Sequence, residues 1–239
     1  MRWIVGLQPV REAIRARGKD LPRVMVEKSD SRELDALARF ATDQGIPNVV
    51  RVDRAELDKV AKGAKHQGAA ALAEELTIAR LEDLVVNEST LIVALDEIQD
   101  PQNFGAIVRS SVGFGATGIV WPESHSAPLT SATFRASAGA VEHATLCRVA
   151  ALPQALDDLK SRGVVTVGLD PQATVDIADV DLKKPIALVI GAEGKGLRRN
   201  VKASCEIMAR LPMTNRLGSL NASVSAAIAL YEAARQRRV

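Results

Sequence analysis

The sequence predicts an α/β protein whose larger part is built on a parallel sheet. Short apolar runs alternate with amphipathic segments along the whole chain, which is the order produced when strands and helices alternate. Several runs in the second part are continuous Val, Ile and Leu stretches, as in strands covered by helices on both faces. The chain has 239 residues, 47% of them apolar and 25% charged, so it can form two modest domains.

The first part, residues 1–76, is predicted to be a small α/β domain. Ser31 suits an N-cap, Glu33 puts a carboxylate in the first turn of the same helix, and Gly45 and Pro47 mark its end. The predicted elements are a turn and short helix over 6–14, a strand over 23–27, a helix over 31–44, a strand over 48–52, a helix over 54–62 and an extended run over 68–74. The charged residues 77–88 are expected to form a linker.

The second part, residues 89–239, repeats the alternation of strands and helices. Predicted strands cover 91–95, 118–121, 145–149, 164–169, 186–190 and 206–211. Predicted helices cover 103–113, 129–141, 153–162 and 223–237.

Several classes of protein are excluded by composition. No segment approaches the roughly 18 uninterrupted apolar residues of a membrane span, and the N-terminal apolar run is short for a signal peptide. We therefore expect a cytoplasmic protein that binds no membrane. Cys147 and Cys205 lie in apolar runs and are expected to be core residues, so neither a disulfide framework nor a metal site is predicted.

Charge and aromatic content say little about partners by themselves. The net charge is +2, with an excess of basic residues up to Ala73 and a slight acidic excess after it. Trp3 and Phe40 are the only aromatic residues of the first part. If that part binds RNA, shape and phosphate contacts must therefore contribute more than base stacking.

A glycine pattern in the second part resembles the fingerprint of a nucleotide-dependent dehydrogenase, but its position in the chain does not support that function. Gly113 to Gly118 matches G-x-G-x-x-G, but these glycines end a predicted helix and lead into a strand, the reverse of the dinucleotide-binding order. We interpret Gly113 and Gly115 as helix C-terminal glycines. The loop from Gly191 to Gly196 lacks the frame of an ATP-binding Walker A loop.

Polar residues follow two predicted strands and precede the last helix. Because open α/β sheets bind ligands at the carboxyl ends of their strands, these residues are candidates for one pocket. The stretch before the last helix begins at Leu217. The candidates are Asp100, Asn103, Arg109, Glu193, Ser219 and Asn221.

Each candidate also has a simpler interpretation. Either Asp100 or Asn103 can cap the helix after Pro101, Glu193 can be a solvent-facing turn residue, and Ser219 and Asn221 can be caps.

Arg109 can be a surface cation, but it interrupts a helix otherwise built of Phe, Ala, Ile and Val. We expect it two turns beyond Asn103 on the same side of the helix, where a guanidinium can bind a phosphate or a ribose hydroxyl.

Taken together, three blocks resemble the SpoU/TrmH family of RNA ribose 2′-O-methyltransferases in the SPOUT class. The blocks are 100–109, 190–197, and 211–213 with 218–224. Residues 6–14 and His66-Gln67-Gly68 are similar to the small RNA substrate-binding domain of one branch. That branch methylates a guanosine of large-subunit 23S ribosomal RNA.

The resemblance implies a parallel sheet with a C-terminal trefoil knot, preceded by an L30e-like RNA-binding domain. It implies S-adenosylmethionine as cofactor and a homodimer in which the site lies near the interface. The implied catalytic residues are Asn103, Arg109, Glu193, Ser219 and Asn221. The implied cofactor-binding residues are Gly191, Glu193, Gly194, Leu211, Met213, Leu220 and Asn221.

The leading hypothesis is therefore 2′-O-methylation of a guanosine in 23S rRNA. The alternatives are a tRNA ribose 2′-O-methyltransferase, a non-catalytic RNA-binding or ribosome-assembly protein, and a dehydrogenase, which would require NAD binding.

Overall fold

The computed structural model describes residues 1–214 and 218–238. The chain forms two compact units. The first comprises Met1–Thr77 together with Ala138–His143, and the second comprises Ile78–Ser137 and Ala144–Val239. The α/β class is confirmed in both units.

The first unit is a four-stranded sheet with three helices. Its elements are β1 (Arg2–Val5), α1 (Leu7–Arg17), β2 (Arg23–Glu27), α2 (Arg32–Asp43), β3 (Val49–Val52), α3 (Arg54–Ala61) and β4 (Ala69–Ala73). The strand order is β1-β4-β2-β3, with β2 and β3 parallel and β4 antiparallel to its neighbours. Ser31 caps α2 by accepting from the Leu34 N–H at 3.4 Å, as predicted. The strand β1 was not predicted.

A short segment from later in the chain completes this unit. The helix predicted over 129–141 is too long: α5 covers Ser131–Ala136, and a 3₁₀ turn covers Ala140–His143. Positive φ angles at Ala138 and Gly139 separate the two, and a side chain at Gly139 would collide with Pro9.

Within the added segment, the Glu142 side chain is 1% exposed and is bound by two arginines of the unit. Its carboxylate accepts from Arg2 Nη2 at 2.5 Å and from Arg17 Nε at 2.8 Å. The segment is therefore held by ionic hydrogen bonds as well as by packing.

The second unit is an eight-stranded, wholly parallel sheet with helices around it. The strand order is β10-β12-β9-β11-β6-β7-β8-β5. Its strands are β5 (Ile78–Ala79), β6 (Leu91–Asp96), β7 (Gly118–Pro122), β8 (Leu146–Val149), β9 (Val165–Leu169), β10 (Val175–Asp176), β11 (Ile186–Gly191) and β12 (Ile207–Arg210). Besides α5, its helices are α4 (Pro101–Gly113), α6 (Leu152–Ser161), α7 (Arg199–Ser204) and α8 (Ala222–Arg237).

Residues 77–88 were expected to form a linker, but they contain β5, which pairs with β8 at the sheet edge. Leu84 is buried and lies against Gly118. The strand is two residues long, too short to give a periodic signal. The trefoil knot implied by the resemblance stays a prediction.

The centre of this sheet determines where a site can form. Every residue of β6 is buried, and β11 pairs with it so that Gly191 lies opposite Asp96 at the carboxyl end of both strands. Because the sheet is parallel, the loops after β6, β9, β11 and β12 leave from the same edge. Within the described ranges 1–214 and 218–238, no helix has the length and hydropathy needed to cross a bilayer.

Candidate functional site

A cavity of about 430 Å³ lies at the carboxyl ends of β9, β11 and β12, within the size range of small-ligand sites. Apolar side chains form part of its wall, and polar backbone from a glycine-rich loop forms another part. The lining residues include Leu169, Asp170, Gln172, Ile190, Gly191, Glu193, Gly194, Lys195, Lys202, Leu211, Met213, Ser219 and Leu220.

The glycine-rich loop after β11 folds back tightly on itself. The Gly196 N–H donates to the Ala192 carbonyl at 2.8 Å, and Gly194 and Gly196 both have positive φ. A Cβ atom at Gly191 would lie 2.3 Å from the Gly196 carbonyl carbon, so this position admits only glycine. The loop therefore presents backbone groups along one wall of the cavity, together with the side chain of Glu193.

Asn103, Glu193 and Asn221, predicted from three separate blocks, form one hydrogen-bonded cluster. Asn103 Nδ2 donates to Glu193 Oε2 at 3.3 Å, and Asn221 Nδ2 donates to the same oxygen at 3.3 Å. Asn221 Nδ2 also donates to Asn103 Oδ1 at 3.0 Å. Because Glu193 lines the cavity, the cluster holds a carboxylate at its wall.

The capping alternatives are resolved differently for the two asparagines. Asp100 caps α4 by accepting from the Gln102 and Asn103 N–H groups, so the Asn103 side chain is free for the cluster. Asn221 performs both roles: its Oδ1 caps α8 by accepting from the Ser223 N–H at 2.9 Å, while its Nδ2 joins the cluster.

Arg109 does not lie where the sequence placed it. Six residues along an α-helix turn the chain by about 600°, so Arg109 faces about 120° away from Asn103 rather than on the same side. Its side chain is exposed and does not line the cavity. Within the described part of the chain, it makes no hydrogen bond or ion pair.

The remaining predicted site residues mostly lie at the cavity. Six of them line it: Gly191, Gly194, Leu211, Met213, Ser219 and Leu220. Asn221 is connected to the cavity wall by its hydrogen bond to Glu193. Leu217, where the predicted loop begins, lies outside the described residues.

Sequence reasoning missed an acidic residue and its basic partner in the same wall. Asp170 follows β9, and Lys202 Nζ, from α7, contacts its carboxylate. Burial alone would raise the pKa of Asp170, but hydrogen bonds from Lys202 and the Gln172 N–H, with the Lys202 charge, hold it below its usual range. The rule that ligands bind at strand ends applies to Asp170 as well, since a strand was predicted to end at Leu169.

An ion pair on a buried carboxylate holds the glycine-rich loop at its far end. The Asp96 side chain is fully buried at the end of β6. Its carboxylate accepts from the Arg198 backbone N–H at 2.8 Å and from Arg198 Nε at 2.7 Å. This pair therefore fixes the loop that begins at Gly191 to the strand beside it.

Cys147 and Cys205 are not among the residues that line the cavity. Burial raises the pKa of both thiols to about 11, that of the buried Cys147 and that of the half-buried Cys205. Within residues 1–214 and 218–238, no group of three His, Cys, Asp or Glu side chains is arranged to hold a metal ion. Gly113 is the last residue of α4 and Gly115 has positive φ, so the G-x-G-x-x-G pattern ends a helix, as interpreted.

Comparisons with known proteins agree with this geometry. Residues 90–231 match the model of the SpoU rRNA methylase family. Residues 3–79 match the model of the RNA 2′-O ribose methyltransferase substrate-binding domain. The two matched segments cover most of the chain.

The chain is similar to YacO of Bacillus subtilis strain 168, whose name describes a TrmH-family tRNA/rRNA methyltransferase. The two are 37% identical over 98% of this chain and 96% of YacO. The chain is also similar to AviRb, a SpoU methyltransferase of Streptomyces viridochromogenes solved with S-adenosylmethionine, with 26% identity, a TM-score of 0.79, and coverage of 98% and 90%. An rRNA methyltransferase of Sinorhizobium meliloti, also solved with S-adenosylmethionine, gives 25% identity, a TM-score of 0.77, and coverage of 98% and 87%.

The chemistry of the cavity fits this cofactor. Leu169, Leu211 and Leu220 supply apolar surface for a base, and the glycine-loop backbone supplies donors and acceptors. Asp170 and Glu193 supply negative charge for a ligand that carries an ammonium and a sulfonium group. S-adenosylmethionine is accordingly the cofactor. The chain belongs to the SpoU family of RNA 2′-O-ribose methyltransferases.

Proposed function

We propose that the protein methylates the ribose 2′-oxygen of a guanosine in large-subunit 23S rRNA. The similarity to the Sinorhizobium rRNA methyltransferase extends over 98% of this chain and so includes the substrate-binding unit as well as the cavity. The name of YacO covers both tRNA and rRNA, so tRNA is the second candidate substrate.

The observation that carries the proposal is the cluster of Asn103, Glu193 and Asn221 at the wall of the cofactor cavity. Two amide groups converge on one carboxylate oxygen, which fixes the direction in which the carboxylate points. A carboxylate held in this way accepts hydrogen bonds from ribose hydroxyls and orients the sugar. Ser219, exposed at the same wall, adds a hydroxyl contact. The cluster acts by positioning, which supplies a large part of the rate in a two-reactant transfer.

The bound cofactor supplies an electrophilic methyl group on a sulfonium sulfur. The ribose 2′-oxygen forms a bond to the methyl carbon as the carbon–sulfur bond breaks, so the hydroxyl must lie in line with that bond. The side chain of Arg109 offers only hydrogen-bond donors, so it is not the group that accepts the hydroxyl proton. It binds instead a phosphate next to the target ribose, and a phosphate oxygen takes the proton.

This role for Arg109 requires a second copy of the chain, because Arg109 lies away from the cluster. The side chains of Val224, Ile228 and Tyr231 are 45%, 40% and 55% exposed, and their spacing places them on one face of α8. Phe114, after α4, packs edge-on against Tyr231, with ring centroids 6.1 Å apart. This apolar face borders Ala106 and Ser110 of α4, the helix that carries Arg109. It supports a homodimer in which Arg109 reaches the partner's cavity.

The test is transfer of labelled methyl from S-adenosylmethionine to unmodified 23S rRNA, 16S rRNA and tRNA, followed by mapping of alkali-resistant linkages. We expect label at one guanosine of 23S rRNA. Glu193→Gln should lose transfer, whereas Glu206→Gln, an exposed residue outside the cavity, should not. Label on tRNA alone would show that tRNA, and not 23S rRNA, is the substrate. Cofactor binding without transfer to any RNA would favour a non-catalytic assembly protein.

Mixed dimers test the role of Arg109. Arg109→Ala and Glu193→Gln are each expected to be inactive alone. If Arg109 acts in the partner's site, equal mixing after dissociation and reassociation produces one complete site in each heterodimer, restoring about a quarter of all sites. No recovery in confirmed heterodimers would refute the shared site.

A further inference from the structure

The loop between α3 and β4 in the first unit has an unusual backbone. Lys62, Gly63, Gln67 and Gly68 all have positive φ, at 47°, 82°, 51° and 79°. Lysine and glutamine rarely adopt this conformation because their Cβ atoms crowd the backbone. A loop that keeps them there must be held in that shape by its surroundings.

The buried side chain of His66 holds the end of this loop. His66 Nδ1 accepts from the Gly68 N–H at 3.0 Å, so the ring proton lies on Nε2, which faces Asp58 Oδ1 at 3.2 Å. At Gly68, a Cβ atom would lie 2.5 Å from Leu34, so no other residue fits without a shift. Gln67 is therefore fixed between two residues that cannot easily change.

These constraints present the side chain of Gln67 to solvent. Gln67 is exposed, and its amide makes no hydrogen bond to the residues that the structure describes. Its Oε1 lies 3.5 Å from where a Cβ of Gly6 would be, so the amide extends over a residue that has no side chain. The amide keeps two donors and one acceptor available for a partner.

Positive charge precedes the amide along the same loop. Lys62 and Lys65 are both exposed, and no ion pair to either is found among the described residues. Ammonium groups of this kind bind phosphates without regard to sequence, whereas an amide can contact the hydrogen-bonding edge of a base. Trp3 and Phe40 pack against the hydrophobic core of the unit, which leaves recognition to such polar contacts.

We propose that residues 62–68 form an RNA-contact loop, in which Lys62 and Lys65 bind phosphates and the Gln67 amide binds the edge of an unpaired nucleotide. RNA is the partner because residues 3–79 match a substrate-binding model for RNA methyltransferases. Unpaired nucleotides are the parts of RNA whose base edges are open to an amide. The proposal rests on the RNA-binding part of the proposed function, but does not depend on which RNA is methylated.

The experiment measures the affinity of the full chain for unmodified 23S rRNA and for tRNA between 50 and 200 mM salt. Gln67→Gly is the informative variant, since glycine accepts positive φ and the substitution removes the side chain that carries the amide. We expect it to bind RNA about two- to tenfold more weakly at every salt concentration, with an unchanged salt slope. Its Tm and its affinity for S-adenosylmethionine should not fall. Gln44→Ala, an exposed glutamine of the same unit, is the matched control.

Substitution of Lys62 and Lys65 should change the salt dependence of RNA binding. Lys62→Ala with Lys65→Ala should reduce the slope of log affinity against log salt by about 1.4, or about 0.7 for each phosphate contact to single-stranded RNA. Lys183→Ala with Lys184→Ala makes the same change of net charge in the second unit, and should leave the slope nearly unchanged.

Each contrary result has a distinct meaning. Wild-type affinity in Gln67→Gly would overturn the amide contact, and an unchanged slope in the lysine variant would overturn the phosphate contacts. If the wild-type chain binds and methylates only tRNA, 23S rRNA is refuted as the substrate. The contacts of the loop are then tested by the affinities of the same variants for tRNA. If it binds neither RNA, both proposals fall.

Discussion

Removing the Asp96 carboxylate should loosen the glycine-rich loop and weaken cofactor binding. In Asp96→Ala, the Arg198 backbone N–H loses its acceptor. The guanidinium loses the closer of its two carboxylate partners and keeps Glu97, whose Oε1 lies 3.4 Å from Nη1. An unpaired buried N–H costs about 1–3 kcal/mol. Removing Asp96 from the guanidinium costs less stability than unpairing a fully buried charge, because the Arg198 side chain is 35% exposed and can be hydrated. We therefore expect a loss of about 2–3 kcal/mol.

Thermal unfolding and calorimetric titration measure the two consequences. At about 2–4 °C per kcal/mol for a unit of this size, the Tm of the second unit should fall by about 4–12 °C. The Kd for S-adenosylmethionine should rise about tenfold or more, because binding must then order a loop that the wild-type protein holds in place.

The control is Asp157→Ala, which removes a carboxylate from the more exposed pair of Asp157 and Lys160. Such pairs contribute about 0–1 kcal/mol, so Tm and Kd should hardly change. If Asp96→Ala resembles Asp157→Ala in both measurements, the ion pair does not hold the loop. If only Tm falls, its role is limited to stability.

Two variants test the cavity and its cluster, and one labelling experiment tests the buried thiols. Gly191→Ala places a Cβ against backbone across the loop and should abolish cofactor binding by calorimetry, whereas Gly113→Ala, at an open helical position, should be tolerated. Asn221→Asp keeps a good helix cap but puts a second carboxylate into the cluster, so methyl transfer should be lost while Tm stays near wild type; an active variant would contradict this. At pH 8, thiols with a pKa of about 11 are about 0.1% ionised, so iodoacetamide should label Cys147 and Cys205 about a hundredfold more slowly in folded than in unfolded protein.

Long, buried elements could be predicted from the sequence because their signal is strong. The runs that became β6 and β11 are covered on both faces, and continuous apolar residues mark such strands. The same pattern places Glu193 at a strand end and so brings it to the cavity. Asn103 and Asn221 reach Glu193 from the N-terminal ends of helices, which the sequence also indicates through capping residues.

Other features depend on contacts that a local pattern does not contain. Whether Asp100 or Asn103 caps α4 is decided by side-chain geometry, since both residue types make good caps. The helix predicted over 129–141 stops early because Gly139 packs closely against residues near the N-terminus. The expected placement of Arg109 was wrong because six residues are not a whole number of helical turns.

The ion pairs of Glu142 limit how the chain can be divided experimentally. A fragment ending near residue 77 would contain every strand of the first sheet, yet Arg2 and Arg17 would both lose the carboxylate of Glu142, which lies far beyond the end of the fragment. No single cut produces both units intact. An isolated RNA-binding fragment should be made with residues 138–143 joined through a designed linker, and a simple truncation that binds RNA poorly would say little about the intact protein.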